Sequence, residues 1–354
     1  MHKKIALTLS LLMIIGCGGG GGGSNANNAP AVSVAPTPTT PTANLSFDEL
    51  KAQFEDYYEY SDHWGLSAIN ASSAYARGAT GKNITIGITD SGLDNSHIEI
   101  DASRLSSDSA LSYSNYIPNT RQKRHGTMVA SVAAGALEKS NSTPMHGVAF
   151  DADVLFVAIQ LAEPDPDYDP VDLGDDDGAG NVTNAPDFTG IDNFFKELFE
   201  IYNDLNVDIV NNSYGYSGNI IDYTEAQVRY AFPKTIEEMA QSGVPDSDKT
   251  IYVWAAGNGH HNGDNSNKDA YANSRYTIAV GSINWKGERT DYSESGSNVM
   301  LVAPSHNSSD WVDPAIFSTD ISGSDGHNNT DYLDDMGGTS ASTPMVSGVI
   351  GLML

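Results

Sequence analysis

Cysteine is nearly absent from this 354-residue chain, and basic residues are scarce. With Cys17 as the single cysteine, neither an internal disulfide framework nor a cysteine-based zinc site can form. Lys and Arg number 18 against 46 Asp and Glu, a formal net charge of −28. Such a surface repels phosphate backbones and anionic membranes, so nucleic acid is excluded as a partner class. The apolar run from Ile5 to Ile15 is too short to span a bilayer comfortably. What is present is a hydrophobic content of 39%, ample for one large α/β domain with short accessory segments.

The N-terminus reads as an address. Lys3 and Lys4 form a positive n-region and Ile5 to Ile15 an h-region. The run Ile14-Ile15-Gly16-Cys17 resembles a bacterial lipoprotein signal over residues 1–17, in which Cys17 is lipidated and becomes the mature N-terminus. The alternative is a plain secretory signal with an incidental cysteine. Gly18 stands where an aspartate would favour inner-membrane retention, so the outer membrane or cell surface is expected. Residues 18–44, six glycines followed by a polar Pro/Thr-rich stretch, bury no core and form a tether. Residues 45–63 form a short helical extension, with Phe47, Leu50, Phe54, Tyr57 and Tyr58 at near-helical spacing from Phe47 to Tyr60.

From residue 64 to the end, apolar runs alternate with helical patterns. Ile84–Ile88, Val154–Ile159, Val207–Val210, Ile251–Trp254, Ile278–Val280 and Val299–Val302 predict buried strands. Thr127–Leu137, Ile191–Leu205 and Glu225–Gln241 predict helices between them. The alternation implies an α/β fold whose mostly parallel central sheet carries helices on both faces. In such sheets ligands bind beyond the carboxyl ends of the strands.

Four motifs fall where that rule wants them. Ile88-Thr89-Asp90-Ser91-Gly92 is a buried strand ending in a carboxylate and a turn. By itself it reads as a turn. His125-Gly126-Thr127 opens an Ala-rich helical run, and alone His125 would be a surface histidine capping a helix. Ala255-Ala256-Gly257-Asn258 follows a strand, and an asparagine amide there can donate to a developing oxyanion. Gly337-Gly338-Thr339-Ser340-Ala341-Ser342-Thr343-Pro344 sets a serine at a helix start, where the dipole favours nearby negative charge, with Pro344 in the first turn.

Taken together, Asp90, His125, Asn258 and Ser340 occur in the chain order of the subtilisins, each with fitting neighbours. That order differs from the chymotrypsin and α/β-hydrolase arrangements. The chain is similar to the subtilisin-like serine proteases from about Trp64 to its end, and its Gly-rich start resembles the lipoprotein-anchored, autotransporter-type members. The resemblance implies a three-layer subtilisin-like fold and a Ser-His-Asp triad of Ser340, His125 and Asp90, with Asn258 in the oxyanion hole. It implies that Ser213-Tyr214-Gly215 pairs with protein or peptide substrates bound as an extended strand. Ala255, Ala256 and Gly257 would form the opposite wall of the S1 pocket, with Asp269 and Ala270 near its floor. Small residues on both walls imply a roomy apolar slot; the alternative is a carboxylate at the floor, which would favour basic residues.

No cofactor is required by this reading. The acidic stretch Asp165–Gly178 reads as a solvated insertion; structural calcium is the alternative, but the spacing completes no EF-hand pattern. His97 and His260-His261 lack ligand-like spacing, so no zinc is assigned. Arg121, Lys123 and Arg124 read as a solvated loop. Two rivals differ in class. Sedolisin-like acid peptidases use a carboxylate at the position of His125 and an aspartate at that of Asn258. A catalytically silent display or binding module would be expected to have lost a catalytic residue. Because Leu354 falls inside the helix that Ser340 begins, the chain is expected to be truncated, with any C-terminal translocator outside it.

Overall fold

The computed structural model describes residues 45–106, 118–120, 122–138, 144–159, 198–199, 201–202, 204–215, 250–269, 271–274, 277–307, 314–327 and 329–354. The chain divides into two units, 1–44 and 45–354. Cys17 and the tether belong to the first and lie outside the described residues. So do the helix expected over Glu225–Gln241 and the acidic stretch Asp165–Gly178.

Six strands form one parallel sheet in the order β2-β1-β3-β4-β5-β6. They are β1 Thr85–Asp90, β2 Asp153–Ala158, β3 Ile209–Asn212, β4 Ile251–Ala255, β5 Thr277–Ile283 and β6 Val299–Pro304. β3 is buried throughout, and β1, β2 and β4 are buried beyond their first residues. Unbroken burial is the mark of parallel strands covered on both faces.

One face carries two helices, α5 (Lys123–Ala134) and α6 (Gly338–Met353). Ile86 and Ile88 of β1 share a core cluster with Val129, Ala130 and Ala133 of α5 and with Ala341, Met345 and Val346 of α6. Small residues let these helices close up: a Cβ on Gly348 would stand 3.0 Å from the Ala133 carbonyl oxygen. Alternate side chains of β1 point the other way. There a Cβ on Gly87 would lie 2.7 Å from the Tyr202 ring, and the Thr89 hydroxyl bonds the Tyr202 hydroxyl. Residues 198–199 and 201–202, within the helix expected over Ile191–Leu205, are helical. Helices therefore cover both faces, and the three-layer arrangement expected from the alternation is the one observed.

Three expectations are corrected. The helix anticipated over Phe47–Tyr60 is broken into α1 (Phe47–Glu55) and α2 (Tyr58–Ser61), because Tyr57 adopts an extended ψ of 136°. α1 starts at a capping box, with the Ser46 hydroxyl accepting from the Glu49 N–H and the Glu49 carboxylate accepting from the Ser46 N–H. α5 begins at Lys123, four residues before the Thr127 start expected, so His125 sits inside its first turn. An antiparallel pair, β7 (Ile316–Thr319) with β8 (Tyr332–Met336), was not anticipated. Ahead of β1 lie α3 (Trp64–Ala68) and α4 (Ala71–Tyr75). Trp64 Nε1–H donates to the Ala315 carbonyl at 2.9 Å, and the Tyr75 hydroxyl to that of Val148 at 2.8 Å. Tyr60, from the segment 45–63, is buried in the same core.

The sheet register sets the site. Asn212 of β3 pairs with Thr89 of β1 and with Trp254 of β4. Asp90, Ser213 and the Ala255–Asn258 segment therefore emerge side by side at one carboxyl edge of the sheet.

Candidate active site

Asp90 closes β1 on the face shared by Ile86 and Ile88, and its side chain is wholly buried. Its Oδ1 accepts the Ser91 N–H at 2.7 Å. Both of its oxygens stand 2.9 Å from Nδ1 of His125, whose side chain is 20% exposed. A carboxylate can only accept, so the proton sits on Nδ1 and leaves Nε2 with a lone pair. Burial opposes a charge on the ring, but the adjacent Asp90 charge and its hydrogen bond outweigh burial and hold the His125 pKa above the ordinary histidine value.

Gly126 makes this contact geometrically feasible. A Cβ there would collide with the Gly92 carbonyl oxygen, lie 2.7 Å from the Phe156 ring and 3.1 Å from Asp90 Cβ. Its small size thus accommodates a second backbone. Gly126→Ala is expected to push α5 off β1 and lower stability by about 1–3 kcal/mol, the usual cost of overpacking. Chemical denaturation would measure it, and an unchanged unfolding midpoint would contradict the packing argument.

Ser340 is the third residue of α6, where backbone N–H groups have no partner within the helix. Its hydroxyl donates to the Ser213 carbonyl at 3.0 Å, and the Ser213 hydroxyl donates back to the Ser340 carbonyl at 3.2 Å. Asn258 Oδ1 accepts from both the Thr339 N–H and the Thr339 hydroxyl, each at 2.9 Å. Two donors on one terminal atom identify it as the oxygen, which leaves the Nδ2 donors facing elsewhere. Gly338, with φ of +75°, would carry any Cβ to 3.2 Å from that Nδ2. The sequence reading missed Thr339 and Glu294 as supports. Glu294 Oε1 accepts the Gly259 N–H at 3.1 Å and fills the space beside Gly257, whose φ is +104°.

The residues expected to bind substrate follow β3 and lie at the end of β4, next to each other in the sheet order. Ser213 and Tyr214 are buried, with the Tyr214 hydroxyl donating to Asn212 Oδ1 at 2.9 Å and its ring set edge-on to Trp254. The Tyr214 side chain thus packs inward. Ala255 and Ala256 are buried, and the Ala256 N–H donates to the Val280 carbonyl at 2.9 Å. Asp269 uses Oδ1 to accept the Tyr271 and Ala272 N–H groups, at 2.8 and 2.9 Å. Its Oδ2 lies 3.0 Å from where a Gly215 Cβ would stand. Ala270 and Arg121 lie outside the described residues.

The remaining sequence candidates have structural roles. His97 bonds the Asp331 carbonyl through Nε2 at 2.7 Å and accepts the Glu99 N–H at Nδ1. His260 Nε2 is 2.9 Å from Arg289 Nη2. Lys123 and Arg124 lie in the first turn of α5 and not in the loop expected, and the half-buried Arg124 donates to the carbonyls of Asp325 at 2.8 Å and Gly326 at 2.5 Å. Among the described residues no group of three or more His, Cys, Asp or Glu could hold a metal ion. Among them too, no helix is long and apolar enough to cross a membrane.

Comparison with known proteins agrees on one family. Residues 81–354 match the Subtilase family. Proprotein convertase subtilisin/kexin type 6 of Rattus norvegicus is 30% identical over 302 residues, covering 81% of this chain and 27% of that protein. Type 5 of the same organism is 28% identical over 312 residues, covering 84% of this chain and 15% of that protein. Kexin of Candida albicans (strain WO-1) is 27% identical over 309 residues, covering 84% and 28%. The chain thus spans less than a third of these relatives' length. Among solved structures, the serine protease of Aeromonas sobria superposes with a TM-score of 0.57 at 22% identity, covering 80% of this chain and 49% of that one. That likeness concerns the fold.

Proposed function

The chain belongs to the subtilase family, and from that premise we propose that it is an exported serine endopeptidase working through an acyl-enzyme. Asp90, His125 and Ser340 form the triad of this reading, and Asn258 supplies an oxyanion donor. One observation carries it: the Nδ1 of a partly exposed His125 lies 2.9 Å from both oxygens of a fully buried carboxylate. That pair stands at the sheet edge where Ser340 opens α6.

In the proposed cycle the Ser340 hydroxyl turns from the Ser213 carbonyl to Nε2 of His125. Its proton passes to Nε2 as Oγ attacks the peptide carbonyl. Asp90 stabilises the imidazolium without taking its proton. The oxyanion accepts from the Asn258 amide and from the Ser340 backbone N–H. His125 then protonates the leaving amine, and water repeats the sequence on the acyl-enzyme. Rotation of Ser340 also frees the Ser213 carbonyl, which can accept an N–H from a substrate lying extended along Ser213–Gly215.

The same reading takes proteins or peptides as substrates. It takes Cys17 as the lipidated end, holding the enzyme at the outer membrane or cell surface through residues 18–44. The order Lys3-Lys4, Ile5–Ile15, Gly16-Cys17 supports the anchor, and the glycine run supports kinship with autotransporter-type members.

The pH profile of peptide hydrolysis tests the chemistry. His125 acts as a base only when neutral, and its pKa is raised. Activity should therefore be lost as pH falls through a midpoint above about 6.5, the ordinary histidine value. A profile that keeps full activity down to about pH 4–5, the carboxylate range, would overturn histidine as the base.

A further inference from the structure

Behind the nucleophile, Gly338 has both of its backbone polar groups taken by side chains. Its N–H donates to the Tyr292 hydroxyl oxygen at 2.9 Å, and its carbonyl accepts from the Ser305 hydroxyl at 3.0 Å. The two hydroxyls are 2.7 Å apart. Ser305 has one hydroxyl proton, spent on the Gly338 carbonyl, so Tyr292 donates to Ser305 Oγ. That leaves a lone pair on the Tyr292 oxygen for the Gly338 N–H. The result is a closed ring of three hydrogen bonds, with Tyr292, Ser305 and Gly338 all buried. In such surroundings the bonds reinforce one another, and losing one strands a buried polar group.

The ring is fastened to the residue that spaces the two oxyanion donors. Gly338 lies against Asn258 Nδ2, Thr339 grips Asn258 Oδ1, and Ser340 follows with its own N–H. Oxyanion donors act only within a narrow range of distance, and a misplacement of about 1 Å can cost on the order of 10²-fold in rate. We propose that Tyr292, acting through Ser305 and Gly338, is a positioning residue that sets the separation between the Asn258 amide and the Ser340 N–H. This rests on the protease reading above.

Tyr292→Phe keeps the ring and deletes the hydroxyl, and Ser305→Ala breaks the same circuit from the other side. In the full chain, with the best peptide p-nitroanilide from a panel varied at P1, each is expected to lower kcat about tenfold or more. KM should stay within about twofold, since ground-state binding does not use the oxyanion donors. In an Asn258→Ala background the Tyr292→Phe effect should shrink to within about twofold, because one of the two donors being spaced is gone. Wild-type rates in both single variants, or an undiminished effect in the Asn258→Ala background, would overturn the proposal. A wild type that neither cleaves the panel nor reacts with a fluorophosphonate would instead overturn the protease reading, and this inference with it.

Discussion

Asp90→Asn is expected to lower kcat on the order of 10⁴-fold while leaving the fold in place. The Ser91 N–H, 2.7 Å from Oδ1, would hold the new side chain's oxygen where Oδ1 now lies. The amide nitrogen would then replace Oδ2, 2.9 Å from His125 Nδ1. An NH₂ group can only donate, so Nδ1 must become the acceptor and the ring proton moves to Nε2. An imidazole protonated at Nε2 cannot take the Ser340 proton. Because the replacement has nearly the same size, thermal unfolding should shift little. Steady-state kinetics beside a melting curve would check both halves. Activity within tenfold of wild type would contradict the role assigned to Asp90.

Asn258→Asp is expected to cost at least about 10²–10³ in kcat, the usual loss of an oxyanion-hole donor. Its structural effect should be small for a specific reason. The Thr339 N–H and hydroxyl both grip Oδ1, and a carboxylate oxygen accepts those bonds equally well. The other terminus changes from a double donor to a charged acceptor facing a developing negative charge. Asn258→Ala loses the donor without adding repulsion, so it should be the less damaged of the two. Equal activity in wild type and Asn258→Asp would remove Asn258 from the oxyanion hole.

What was legible in advance follows from how local each signal is. The strands of the main sheet were found as apolar runs. β1 to β4 are buried along almost their whole length, so that burial writes itself into consecutive residues, whereas β6 was found because Met300, Leu301 and Val302 are apolar although they are exposed. β7 and β8 were missed because Ile316–Thr319 and Tyr332–Met336 are only 4 and 5 residues long, and their pairing is settled only in the folded chain. The start of α5 was placed late because Lys123, Arg124 and His125 carry no apolar periodicity, although Arg124 is tied down by carbonyls about 200 residues away. Asp90, His125, Asn258 and Ser340 stood out because each sits in a short run of distinctive neighbours. Their supports did not. Thr339 reaches Asn258 across 81 positions, Tyr292 reaches Gly338 across 46, and Glu294 reaches Gly259 across 35. No local pattern announces a contact of that kind.

The central claim is that Ser340 is an activated nucleophile with His125 as its base. The most direct measurement is reaction of the chain near neutral pH with a fluorophosphonate, locating the adduct by peptide mass spectrometry beside Ser340→Ala and His125→Ala. An adduct on Ser340 that is lost in both variants is the predicted result. No adduct on a chain shown to be folded, or one that persists in His125→Ala, would contradict it.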